Sequence, residues 1–294
     1  MFGPSSYDID LPSMPVTLAC IMRLACDPNA NNERLADAVM TDQALTSKVL
    51  RLANSAYFRR KKPVDTVSEA ILTLGYEYVR NLAASASVVD ALLPWRAFPL
   101  LDWHSVWRHS VICAIAAEVM AEFKASGRKR RDETAFVAGL LHDIGKLAIA
   151  RALPGGFLAV IKTCHDEGKS MIDVEQKILG TNHATVGKQL AEHWELPEIL
   201  TEAIGWHHSP GCALEYADAA RLVHVADMLA QRLNGPCIRG LRADVSLQKI
   251  TEAAGMSRDD LDFMAAEVRA GLKKSDELLS WGNDMPQDDQ RMVA

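Results

Sequence analysis

From Ala135 to Leu141 the chain has no polar side chain, and the run ends on His142 and Asp143, followed by Ile144-Gly145-Lys146. An apolar run of this kind belongs in a core. It therefore delivers an imidazole and a carboxylate to the end of a buried segment. A carboxylate placed there needs compensation by a partner charge. A metal ion can supply it, and a His ligand beside an Asp ligand is common chemistry for a borderline ion. Whatever else this chain does, its fold has to bring compensating groups to this point.

The surrounding pattern is helical. In Asp42–Ser55, Leu45, Val49, Leu52 and Ala53 recur at helical spacing while Lys48 and Arg51 fall outside. Pro15 is placed to open a first helix that ends near Pro28, and Asn32 is positioned to cap a second through Met40. Further helices are predicted over Val67–Leu74 and Tyr76–Leu92. From Asp102 they lengthen: Asp102–Lys124, then Asp132 or Glu133 to about Ile149, Pro154–Glu167 and Ser170–Leu179. One capped by Thr181 or Asn182 ends near Trp194, and another runs from Pro197 to near Trp206. Leu214–Leu233, Val245–Ala254 with Asp244 as cap, and Arg258–Ala270 stopped by Gly271 complete the set. No run of alternating strand residues and no repeated period is present. The expected fold class is all-α, with a small N-terminal helical bundle over residues 1–95 packed on a larger helical domain over 96–280. Residues 281–294 read as a disordered tail, rich in Asp with one Pro.

Composition narrows the function. About half the residues are apolar (49%), so the chain is long and greasy enough to bury a core. Its formal net charge of -6 argues against a nucleic-acid partner. The basic runs Arg59–Lys62 and Arg128–Arg131 fall in predicted loops and read as solvated charge. No two of the six cysteines have Cys-x-x-Cys spacing, which suggests reduced packing residues in a cytoplasmic protein. Met1–Asp10 has no signal-peptide pattern, and stretches such as Val111–Val119 are too short and interrupted to span a bilayer. Burial of an apolar helix face in a homodimer would be ordinary.

Other histidines and an aspartate accompany the central pair. His109 lies mid-helix in the apolar stretch Val106–Ile115, where a lone histidine is more often a satisfied core residue than a ligand. His183 sits at a predicted helix start. His207-His208 follows the apolar face of Leu200–Ile204, and Asp227 lies on the apolar side of a periodic segment. Together with His142 and Asp143 they place seven candidate ligands on helical segments, and bundles build metal sites from facing helices. Lys146, four residues after His142 and hence on the same helical face, either adds a cation for an anionic substrate or pairs with Asp143. His104, His165, His193 and His224 read as packing or solvent-facing residues, with His224 within reach of a supporting contact.

The arrangement His109…His142-Asp143…Asp227 resembles the HD superfamily of metal-dependent phosphohydrolases. Leu11–Pro15, Asp42–Ser55 (DQALTSKVLRLANS) and Ala70–Gly75 (AILTLG) are similar to the HDOD family, a bacterial signal-transduction branch, over roughly residues 10–230. His183 and His207-His208 further resemble the extended ligand set of the HD-GYP cyclic-di-GMP phosphodiesterases. That resemblance implies one or two divalent ions, iron or manganese. His109, His142, Asp143 and Asp227 would hold one. His183, His207, His208 and a shared Asp143 would hold the other. The chain departs from HD-GYP proteins in having Ser209-Pro210-Gly211-Cys212-Ala213 after His208, with no Gly-Tyr-Pro motif, and Ser105 where some have a glutamate. Three functions follow as expectations. One is an HDOD-type signalling protein that uses its N-terminal bundle to bind a protein partner and keeps a metal site. Another is a phosphohydrolase or phosphodiesterase, in which Asp143 and Lys146 act on a phosphoester or nucleotide with a metal-activated water. The last is a closed, purely structural metal site.

Overall fold

The structure, a computed structural model, describes residues 11–25, 29–58, 63–92, 98–124, 133–238 and 245–280. Both basic runs, residues 1–10 and the tail from Trp281 lie outside these. The described residues form α1 (Val16–Ala25), α2 (Asn32–Met40), α3 (Gln43–Asn54), α4 (Val67–Leu74), α5 (Tyr76–Leu92), α6 (Trp103–Lys124), α7 (Glu133–Leu141) and α8 (Ile144–Ala152). These are followed by α9 (Pro154–Glu167), α10 (Met171–Leu179), α11 (His183–His193), α12 (Glu198–Trp206), a 3-10 turn at Pro210–Cys212, α13 (Ala217–Asn234), α14 (Leu247–Ala254), α15 (Arg258–Leu272) and α16 (Asp276–Ser280). No strand forms among the described residues; one isolated antiparallel bridge joins Leu101 and Ile238. The fold is all-α, as the periodicity requires.

Local chemistry sets most helix starts. The Asp42 carboxylate accepts from the amides of Ala44 and Leu45, and Ser170, Asn182, Ser246 and Ser257 each cap the helix that follows them. Leu45, Val49, Leu52 and Ala53 are buried. A contiguous apolar core extends from Leu18 to Leu278. The long α6 lies at its centre, packed by α7, α13 and α15, and α5 packs on both α7 and α8. The N-terminal segment is tied in from a distance, because the Trp194 indole donates to the Pro12 carbonyl at 2.9 Å.

Several expectations need correction. The cap of α2 is Asn31, whose side chain accepts from Arg34 N–H, with Asn32 as the first helical residue. Asp244 lies outside the described residues, and Ser246 caps α14. A short α16 follows Gly271, and the Trp107 indole donates to Leu278 O there. The helix expected from Leu214 starts at Ala217, because the buried Glu202 carboxylate instead gathers the amides of Leu214, Glu215 and Tyr216 at 3.1, 3.1 and 2.8 Å.

The largest correction is at His142-Asp143. The single helix expected to run to Ile149 is two helices, α7 and α8, with the pair at the break and Asp143 at φ -98°, ψ 11°. Adjacent residues in a continuous helix project about 100° apart. The break lets both side chains turn inward, to 0% and 4% exposure. It also removes the helical face proposed for His142 and Lys146; Lys146 instead meets Asp143, three residues back.

Two glycines permit the close crossings around this break. A Cβ on Gly139 would lie 2.7 Å from the Cys113 carbonyl of α6, and one on Gly145 would lie 1.9 Å from the His183 carbonyl of α11. Gly145→Ala must therefore part α8 from α11 at overpacking cost, ~1–3 kcal/mol or more. Thermal denaturation should show a lower Tm for Gly145→Ala. Gly155→Ala, where no atom lies within 4 Å, should show a Tm equal to or above wild type. Three amides hold Glu202 below the ordinary carboxylate range, the Tyr216 amide foremost and burial opposing. Its stabilisation is thus present above the unfolded Glu pKa of about 4.3 and lost as pH falls through the lower folded value. Glu202→Gln should melt below wild type at pH 7, and the gap should close as the pH is taken towards 3.

Candidate metal centre

The seven sequence-predicted residues converge. His109 comes from α6, His142 and Asp143 from the α7–α8 break, His183 from the first position of α11, His207-His208 from the end of α12, and Asp227 from α13. His109, His142, Asp143, His183, His207 and Asp227 are buried.

They form two groups around Asp143. On one side, His109 Nε2 lies 3.0 Å from Asp227 Oδ1, 3.3 Å from His142 Nε2 and 3.9 Å from Asp143 Oδ2. His142 Nε2 is 3.3 Å from Asp143 Oδ2. On the other side, His183 Nε2 lies 2.9 Å from His208 Nε2 and 3.4 Å from Asp143 Oδ1, and His207 Nε2 is 3.9 Å from the same oxygen. Atoms bound at about 2.0–2.2 Å to one ion lie about 3–3.6 Å from their neighbours in octahedral or tetrahedral geometry. Most of these spacings match, so the donor set fits a cation on either side of Asp143. Asp143 Oδ1 and His207 Nε2 are buried and have no hydrogen-bond partner, which is the expected condition of atoms reserved for an ion. Three groupings of these residues, His183-His207-His208, His109-His142-Asp227 and His142-Asp143-His207, are each compact enough to hold a metal ion.

The rings are aimed by their outer nitrogens. His142 Nδ1 faces Gly139 O at 2.8 Å, and His207 Nδ1 faces Ile204 O at 2.7 Å. His183 Nδ1 faces the Glu175 carboxylate at 2.6 Å. In each case the outer acceptor leaves Nε2 for the interior. Burial with the neighbouring rings holds His207 well below the usual imidazole range and brings His208 down to about 3, so both offer lone pairs. Burial opposes charge on Asp143, but His142 and Lys146 outweigh it and hold the carboxyl well below its ordinary value. Burial is likewise outweighed at Asp227 by the hydrogen bond and charge of His109. His142 is raised well above its usual value despite burial, chiefly by Asp143. The pair of buried carboxylates thus draws positive charge to this point.

Lys146 bonds Asp143 Oδ2, so of its two sequence readings the pairing with Asp143 is present. Its side chain is also 19% exposed and lines a cavity of about 460 Å³ together with His109, His183, His208 and Asp227. Ser105 Oγ donates to Asp102 Oδ2 at 2.6 Å.

Sequence reasoning missed two supporting residues, Glu175 and Gln231. Glu175 is fully buried on α10; its only sequence signal was a charge on the inner face of an amphipathic helix. Gln231 donates to both oxygens of Asp227, at 3.0 and 2.9 Å, one turn further along α13. His224, read as packing or solvent-facing with a supporting contact within reach, places Nδ1 2.6 Å from His207 O. His193 is exposed, as read.

Comparison with known proteins shows which family the chain resembles in sequence and in fold. A curated relative, an uncharacterized protein of Treponema pallidum (strain Nichols), is 26% identical over 227 residues. That alignment takes in 77% of this chain, which spans 43% of the relative's length. The crystal structure of an HDOD domain protein of unknown function from Geobacter sulfurreducens superposes with TM-score 0.69 at 26% identity, covering 94% of this chain and 93% of that one. A provisionally named phosphohydrolase from Shewanella amazonensis SB2B superposes with TM-score 0.72 at 25% identity, covering 94% and 100%. No single helix among the described residues is long and apolar enough to cross a membrane. The HDOD domain profile matches residues 11–210, from Leu11 through His183, His207 and His208, and the chain belongs to the HDOD family.

Proposed function

We propose that this HDOD protein binds one or two divalent ions, iron or manganese, at the His/Asp centre and hydrolyses a phosphoester in the overlying cavity. The observation that carries the reading is the access. A purely structural site is closed, whereas here His109, His183, His208 and Asp227 form part of the wall of a cavity of about 460 Å³, within the size range of ligand pockets. The all nitrogen-and-oxygen donor set suits these ions. When bound, such ions activate water and neutralise phosphoryl charge.

The protein's own groups have separate tasks. Asp143 offers one oxygen to each half of the centre. Asp227, held by Gln231, completes the first half beside His109 and His142. His183, His207 and His208 complete the second. Lys146, at the cavity wall, is placed to donate to a phosphoryl oxygen and to orient the ester. A second reading is favoured by a different contact. α5 of the N-terminal bundle packs on both helices that flank Asp143, so a protein partner on that bundle would be coupled to the centre, in keeping with a signalling role.

Elemental analysis and phosphate release test the first reading. Wild type should purify with up to two ions per chain. Asp143→Ala should lose metal from both positions, and Asp227→Ala from one. Retained stoichiometric metal in Asp143→Ala would overturn the bridging assignment. Lys146→Ala should keep its ions but bind inorganic phosphate more weakly. Against a panel of phosphomonoesters and phosphodiesters, the metal-loaded wild type should release phosphate or cleave a diester. No turnover on the panel, with metal bound and unaffected by the variants, would leave the regulatory reading in its place.

A further inference from the structure

Glu175 lies on α10, outside the seven-residue set, and has no role in the chemistry above. It is fully buried, a rare condition for a carboxylate without a partner charge or metal. One oxygen, Oε2, accepts both from the His183 backbone N–H at 2.9 Å and from the ring at Nδ1, 2.6 Å away. The other, Oε1, has no hydrogen-bond partner. The helix that bears it begins at the cavity, where Ser170, Met171 and Ile172 are lining residues. The acceptors behind the other two oriented rings differ in kind: His142 and His207 each face a neutral main-chain carbonyl.

We propose that Glu175 is the positioning residue for the second half of the centre. Resting on the metal reading above, the inference is that Glu175 sets the affinity of the His183, His207, His208 and Asp143 Oδ1 position for a divalent cation. A carboxylate behind an imidazole fixes the proton on Nδ1, leaves the Nε2 lone pair inward and makes that nitrogen a better donor. It also brings anionic charge to the half that contains three imidazole rings and shares its one carboxylate. The first half needs no such help, because Asp227 supplies a second carboxylate directly.

The test is manganese titration of metal-free wild type and Glu175→Gln, with Tm measured on both. The variant should lose affinity about 10–100-fold at one position and keep the other at the wild-type value. Equal affinities in the two proteins, or an equal loss at both positions, would overturn the proposal, since a merely structural role weakens the whole centre. A second measurement stands independently of metal and of the variant's folding. The imidazole ¹⁵N signals of metal-free wild type should show a proton on His183 Nδ1, the nitrogen that faces Glu175; a proton on Nε2 alone would overturn the proposal. If wild type binds no manganese at all, the metal reading fails while the tautomer result still decides whether Glu175 positions His183.

Discussion

A carboxylate buried between two sets of imidazoles is the constraint around which this molecule is arranged. Asp143 is 4% exposed, with Oδ2 turned towards His109 and His142 and Oδ1 towards His183 and His207. Unpaired, such a group costs several kcal/mol. The convergence of α6, α11, α12 and α13 on the α7–α8 break is what makes it tolerable. The same convergence gathers the imidazole and carboxylate donors of the centre at one point.

Close backbone approaches bring the helices of the centre together. Gly145 allows α8 to touch the main chain of α11 at His183, and Gly139 does the same for α7 against α6. Side-chain freedom is then removed ring by ring by an acceptor on the far nitrogen. A site assembled this way is held by rigid elements and by groups that never touch the cavity. Support of that kind gives coordinating residues their preorganisation.

Much of this was legible in the sequence. The 3.6-residue spacing of Leu45, Val49 and Leu52, the caps at Asn182 and Pro197, and the absence of alternation gave the all-helical class and most helix limits. The apolar run into His142-Asp143 gave the centre. The break at that pair was not legible, because Ile144–Ala150 continues the helical pattern and nothing local marks the turn. Its cause is tertiary: both side chains must face inward. Glu175 and Glu202 were hidden for the same reason. Each looks like an ordinary surface charge on an amphipathic helix, and only the fold shows that its partners are amides and a ring from elsewhere in the chain. The family resemblance, not periodicity, linked His109 and Asp227 to the pair.

The hydrogen bond from Trp194 to Pro12 has a kinetic consequence. It closes the far end of the helix that starts at His183, yet its partners are 182 residues apart. Contacts of such separation raise contact order, which slows folding. During synthesis the segment around Pro12 must wait for Trp194 to emerge before this clasp can shut, and Asp227 emerges later still. The imidazole and carboxylate cluster is complete only once Asp227 has joined His109, His142 and Asp143.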